Sequence, residues 1–182
     1  MAKLLYSATM SLDGFITGPD GDMSWLTRHL GGPDPMVDRL IGETGALLVG
    51  NRTFRGDDPH KGTPQEGEPF GGGWEGPQFV LTHHAPETAV PGVTFVGDLD
   101  SGIAAAKAAA GEKEYVNVLG ADVAKQCLAA GALDEIFVCI APVLLGDGVR
   151  LFAQPGGADV TLERIDLGRT PQSTNLWLRV VR

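Results

Sequence analysis

The stretch Ala46-Leu47-Leu48-Val49-Gly50-Asn51-Arg52-Thr53-Phe54 decides the reading of this chain. Four apolar residues in a row form a strand buried on both faces. They run straight into a glycine and then into a short helical segment. A strand that ends on glycine and opens a helix presents unpaired backbone N–H groups and a partial positive charge. Arg52 adds charge-assisted hydrogen bonds and Thr53 a hydroxyl. The bland alternative is a plain strand-to-helix turn with a surface arginine.

The same pattern recurs downstream. Tyr115–Leu119 reads as a strand and Gly120-Ala121-Asp122 opens a helix over residues 123–130. Alone, Asp122 is explained as an acid complementing a helix dipole. Two such ends in one α/β chain suit a dinucleotide, which has a pyrophosphate and an adenosine phosphate to neutralise.

Outward from these two turns the remaining elements fall into place. Lys3–Met10 is a first strand, followed by a long loop, Ser11–Trp25, full of turn signals. Phe15, Ile16 and Trp25 make that loop too apolar for a solvated linker, so it reads as functional. Asp34-Pro35 starts a helix that ends near Gly45. Residues 56–76, rich in Gly, Pro and charge, read as a mobile flap or insertion. Gln78–Thr82 and Val93–Val96 are strands. An alanine-rich helix starts at Asp98 or Asp100 and runs through Ala110. Glu135–Leu144, Val160–Leu167 and Asn175–Val181 are strands with no helix between the last two. Strand–helix alternation thus gives way to an antiparallel ending. The expected architecture is one α/β domain, residues 1–182, with a mixed central sheet flanked by helices.

Composition narrows the function. The formal net charge is −9 and no basic stripe offsets it, which argues against nucleic-acid binding. The apolar segment Leu4–Leu12 is too short to span a bilayer and lacks a signal-peptide layout, so a cytoplasmic protein without membrane contact is expected. Cys127 and Cys139 sit in apolar segments and read as core residues. No metal-ligand spacing is present, and no Gly-x-Ser-x-Gly elbow or Walker-type loop. Two loop features carry further chemistry. Thr82-His83-His84 at a strand end offers a hydroxyl and imidazoles to a phosphate, against the alternative of a solvated loop. Asp13, after the first strand, is a candidate proton relay or substrate hydrogen-bond acceptor, against the alternative of a turn Asp before Gly.

Taken in order, these segments resemble the dihydrofolate-reductase-like superfamily, in the branch of the riboflavin-biosynthesis reductase C-terminal domain. The segments are Ser11-Leu12-Asp13-Gly14-Phe15-Ile16 with Gly18–Asp22 and Trp25; Leu48–Phe54; Val80-Leu81-Thr82-His83; Val118-Leu119-Gly120-Ala121; and Ala141–Gly148. The resemblance covers the whole chain. It implies NADPH as hydride donor, a small heteroaromatic substrate reduced at a C=N or conjugated C=C/C=O bond, and a homodimer. By position, Gly50, Arg52 and Thr53 would hold phosphates, with Thr82 and His83 near the adenosine 2′-phosphate. Leu119, Gly120, Ala121, Asp122 and Val123 would line the pyrophosphate and nicotinamide, which Ala8 and Ile16 would also touch. Asp13 would be the catalytic carboxylate, with Phe15 and Trp25 facing the substrate. Asp34 is the nearest match to the carboxylate that folate reductases carry on the first helix, with Asp38 in reserve. Two departures stand out: Ala121 replaces a second glycine, and Leu119 replaces the Glu of the riboflavin-pathway enzymes. Other readings on the same fold are a flavin- or deazaflavin-dependent reductase and a non-catalytic binding protein for a pterin- or flavin-like ligand.

Overall fold

Asp34 and Asp98 each end an extended segment and cap a helix. The Asp34 carboxylate accepts from Met36 N and Val37 N at 3.1 and 3.2 Å, and Asp98 accepts from Ser101 N at 2.9 Å. They start α1 (Pro35–Glu43) and α3 (Leu99–Ala109). The computed structural model describes all of residues 1–182. Its other α-helices are the single turn α2 (Asn51–Phe54) and α4 (Ala121–Ala129).

The strands are β1 (Lys3–Ser11), β2 (Phe15–Thr17), β3 (Thr44–Gly50), β4 (Gln78–Leu81), β5 (Val93–Val96), β6 (Tyr115–Leu119), β7 (Leu133–Ala141), β8 (Val149–Arg150), β9 (Leu162–Arg169) and β10 (Thr174–Val180). Eight of them form one mixed sheet in the order β5-β4-β3-β6-β1-β7-β10-β9. The first six in that order are mutually parallel, and β10 is antiparallel to both β7 and β9. The expected mixed sheet with an antiparallel ending is therefore present.

Period-two alternation sorts the strand residues onto two faces. Leu4, Tyr6, Leu48, Val116 and Val118 pack with Val123, Ala124 and Cys127 of α4 and with Ala106 of α3. Alanines and Gly102 let α3 lie close: a Cβ at Gly102 would stand 3.1 Å from Val96 and 3.3 Å from Leu48. On the other face Leu5, Tyr115, Phe137 and Trp177 pack under Leu40 of α1, and Leu47, Val49 and Val80 under Trp74. Each fully buried side chain of this kind contributes about 1.5–3 kcal/mol.

Glu135 ties the strands together near their amino ends. It is 2% exposed and accepts from Trp177 Nε1 at 2.7 Å, Tyr115 Oη at 2.9 Å and Lys3 Nζ at 3.1 Å. A buried carboxylate is tolerated because these donors replace its water. Both cysteines are buried, and burial pushes their thiols up to about 12.

Three sequence expectations need correction. The first helix stops at Glu43, and Gly45 belongs to β3, where a side chain would collide with Ala110 O and Lys113 Cβ. The loop Ser11–Trp25 contains strand β2, which pairs with β8. The segment 56–76 is not a free flap. Its buried Trp74 donates to Thr44 O at 2.9 Å, and Asp58 accepts from His60 N and Gly67 N at 2.7 and 2.6 Å. A large aromatic with a satisfied N–H pins a glycine-rich segment that composition alone marks as mobile.

Candidate active site

The two glycine turns end adjacent strands. Val49 pairs with Leu119, so Gly50 and Gly120 lie side by side at the carboxyl edge of the sheet. From β3 the chain continues outward to β4. From β6 it passes through α4 to β7, on the far side of β1. The connections therefore diverge between β3 and β6, and open α/β sheets bind ligands in the crevice at such a point.

The glycines have a packing reason. Gly120 has φ +105, and a Cβ there would collide with Thr53 Oγ1. Gly50 has an ordinary φ of −72, but a Cβ would stand 3.1 Å from Val123 Cγ2. The turns interlock: each glycine makes room for a side chain that follows the other. This favours the architectural reading of the glycines themselves, and leaves the ligand argument to the groups around them.

Those groups line a cavity of about 530 Å³. Phe15, Arg52, Ala121 and Asp122, all singled out in the sequence, are joined there by Lys125 and Arg150. The N-terminus of α4 has no side-chain cap, so its first N–H groups are free. None of Arg52, Lys125 and Arg150 is held in an ion pair. Asp122 and Asp147 line the same cavity, so the three cations leave it a small positive excess beside an uncapped helix start, on a chain of net charge −9, a combination suited to an anion. The sequence reading missed Lys125 and Arg150. Lys125 lies one helical turn after Ala121 and was findable by that spacing. Arg150 arrives through the β2–β8 pairing, which leaves no local signal.

The central strands also part here. Pairing between β1 and β6 runs from Lys3 opposite Tyr115 to Tyr6 opposite Val118, while β1 continues to Ser11 beside β7. Past that point Ala8, Thr9, Leu119 and Gly120 are partly exposed, although β1 and β6 are interior strands. Ala8, Leu119 and Gly120 thus lie near the point where the two strands part.

Asp13 has an anchoring task. Its carboxylate accepts from Ser11 Oγ at 2.6 Å, Leu145 N at 3.1 Å and Gly146 N at 2.7 Å. The Ser11 hydroxyl, aided by the two backbone donors, lowers its pKa to about 2. Such a carboxylate holds no proton near neutrality. These bonds strap the loop Ser11–Trp25 to residues 145–150, and Arg150 completes the strap, donating to Asp13 O at 3.2 Å and lying 4.5 Å from the Phe15 ring centroid. Phe15 is buried against this strap, and Ile16 is partly exposed.

The other predicted residues are spread along the same edge. Trp25 is 7% exposed and packs with Leu26 and Ala141. Asp34 uses one oxygen for the α1 cap, and the other accepts from Asn175 Nδ2 at 2.6 Å. That cross-link between α1 and β10 gives it a structural reason to exist, outside the cavity. Asp38 lies in the first turn of α1. Thr82 follows β4, whose Leu81 pairs with Gly50, and its hydroxyl accepts from His84 N at 3.2 Å. His83 is exposed. There is no cluster of three or more His, Cys, Asp or Glu side chains fit to hold a metal ion. No helix is long and apolar enough to cross a membrane.

Comparison with known proteins agrees with this fold. The family described as RibD C-terminal domain matches residues 2–174. No curated protein matches the sequence. Among solved structures, a chain described as a riboflavin biosynthesis protein from Shewanella sp. PV-4 superposes with a TM-score of 0.74 at 24% identity, covering 100% of both chains. A diaminohydroxyphosphoribosylaminopyrimidine deaminase/5-amino-6-(5-phosphoribosylamino)uracil reductase from Thermotoga maritima gives 0.67 at 16% identity, over 99% of this chain and 57% of that one. Dihydrofolate reductase from Enterococcus faecalis, complexed with NADP(H), gives 0.60 at 18% identity, over 98% and 95%.

Proposed function

Because the chain belongs to the RibD C-terminal domain family, we propose that it is a reductase that takes NADPH as hydride donor and a small heteroaromatic compound as acceptor. The observation that carries this reading is the uncapped α4 N-terminus with Arg52, Lys125 and Arg150 around one cavity. A phosphate-bearing dinucleotide fits that donor set; an uncharged ligand would leave it unused. The Thermotoga reductase and the Enterococcus reductase with its bound NADP(H) share this fold.

The residues divide the work by position. Ala121, Asp122 and Val123 offer backbone N–H groups to the pyrophosphate, and Arg52, Lys125 and Arg150 supply countercharge. Gly50, Thr53 and Gly120 hold the two turns in the form that exposes those donors. Thr82 and His83 lie along the edge where an adenosine 2′-phosphate would be received. Ala8, Ile16 and Leu119 line the split that accepts the nicotinamide. When bound, NADPH supplies the hydride for a C=N or conjugated C=C/C=O bond. Phe15 and Trp25 are apolar walls toward the substrate, and Asp34 is kept as a more distant contact. Asp13 acts as a positioning residue that fixes the strap, which excludes water and aligns the reactants. The proton then comes from water or from the substrate's own acidic groups.

The protein is further proposed to work as a single reductase domain in the cytoplasm and as a homodimer. Support for the dimer is the edge strand β9, where Leu162, Ile165 and Leu167 are exposed. The activity is tested by following NADPH consumption over a panel of pterins, pyrimidinediones and conjugated carbonyl compounds. Turnover of at least one class is expected. Tight NADPH binding with no turnover anywhere in the panel would leave a binding protein instead.

A further inference from the structure

Arg150 touches both the candidate anion cavity and the loop around Asp13. It lines the cavity with Arg52 and Lys125. It also donates from Nη1 to Asp13 O at 3.2 Å and lies over the Phe15 ring, 4.5 Å from its centroid. The backbone that carries it is tied down on both sides. Arg150 pairs with Phe15 across β8 and β2, and Leu151 N donates to Gly14 O at 2.9 Å. Phe152 packs edge-on against Tyr6, with ring centroids 5.3 Å apart.

A surface arginine resting on a ring has a bland explanation: it shields the ring from water. Two observations go beyond it. The chain carries 23 acidic residues against 14 Lys and Arg, yet no carboxylate pairs with Arg150. Of the guanidinium donors, Nη1 alone is engaged. The Nε–Nη2 edge therefore keeps two parallel N–H groups without a partner, the form that takes a phosphate through two hydrogen bonds. Asp13 O and the Phe15 ring already hold the guanidinium in place, so binding costs it little further rotamer freedom.

One planar group serves both contacts, and that couples them. A phosphate on the free edge restrains the guanidinium, and a restrained guanidinium restrains Asp13 O and Phe15. By linkage, an ordered loop tightens the phosphate by the same factor.

We propose that Arg150 is a positioning residue through which a phosphate anion in the cavity orders residues 11–17, so that the wall formed by Phe15 is set when the nucleotide binds. For NADPH as the source of that phosphate this rests on the reductase reading. The coupling itself rests on the two contacts of Arg150 and its free edge.

The test is amide hydrogen exchange of the full chain, read on peptides covering residues 12–17, without ligand and saturated with NADP+ or with inorganic pyrophosphate. In wild type a bound anion should slow exchange there about tenfold. Arg150→Lys keeps the charge but has neither the free edge nor the planar contact with Phe15. Brought to the same occupancy, it should lose the slowing. If Arg150 only propped the loop, the variant would exchange faster with and without ligand and the slowing would persist. A second measurement sets two signs against each other. Asp13 lies outside the cavity wall, and Asp13→Asn removes a negative charge near it. Electrostatics alone makes the anion bind more tightly; coupling through the loosened loop makes it bind about fivefold more weakly. That variant keeps the test open if Arg150→Lys does not fold. Slowing that survives Arg150→Lys, an unchanged loop in wild type with an anion bound, or tighter binding by Asp13→Asn would overturn the proposal. Slowing by pyrophosphate with no binding of NADP+ would remove the reductase reading and keep the role of Arg150. If neither anion binds, both are overturned.

Discussion

At Gly120 one methyl group decides whether two turns can interlock. Its φ of +105 lies where side chains are strained, and its Cβ direction is filled by Thr53. Gly120→Ala is expected to cost about 1–3 kcal/mol, measured by denaturant unfolding. Gly50→Ala should cost less, since it asks only the Val123 methyl to give way. The Asp13 anchor makes a pH-dependent prediction. Its folded pKa, about 2, lies below the ordinary 3.8. The anchor therefore adds stability above pH 3.8, and that stability is lost as the pH falls toward 2. Asp13→Asn should lower the melting temperature at neutral pH, and the gap to wild type should narrow in acid. A gap independent of pH would mean that the charge of Asp13 is irrelevant to the strap. The sequence singled out Asp13 as a proton relay or substrate contact; its anchoring bonds were not legible there, because its two backbone donors come from residues 145 and 146 across the fold.

Elements were legible where periodicity and caps agreed. The buried run ending at Gly50 and the Asp34-Pro35 helix start needed only local information. Strands β2 and β8 were hidden, being three and two residues long and specified by each other. For the segment 56–76 the flap reading fails because one buried tryptophan outweighs its composition. Trp74→Phe keeps the ring and removes the donor to Thr44 O. It should cost about 1–3 kcal/mol and make residues 56–76 the first site of limited proteolysis. The α4 N-terminus carries the ligand argument at this scale. Arg52→Ala, Lys125→Ala and Arg150→Ala should each weaken NADPH by about tenfold, with a shallower salt dependence than wild type. Arg150→Ala should also lower the melting temperature, since it removes the contact with Phe15 and Asp13 O. Unchanged affinity in all three would place the phosphates elsewhere.

Over the whole molecule, the sheet order puts both glycine turns, and with them Arg52 and the α4 start, on one edge. That edge follows from topology: six parallel strands align their carboxyl ends, and the chain diverges between β3 and β6. The far edge ends in β9, whose exposed Leu162, Ile165 and Leu167 are the proposed dimer face. Light scattering should give twice the 19.1 kDa chain mass, and Leu167→Lys should return it to the monomer. The central claim, a dinucleotide held at the α4 N-terminus beside Arg52, Lys125 and Arg150, is tested most directly by titrating NADPH and NADH while following tryptophan fluorescence. Saturable, submillimolar binding with NADPH tighter than NADH is predicted. If neither dinucleotide binds in that range, the account is contradicted.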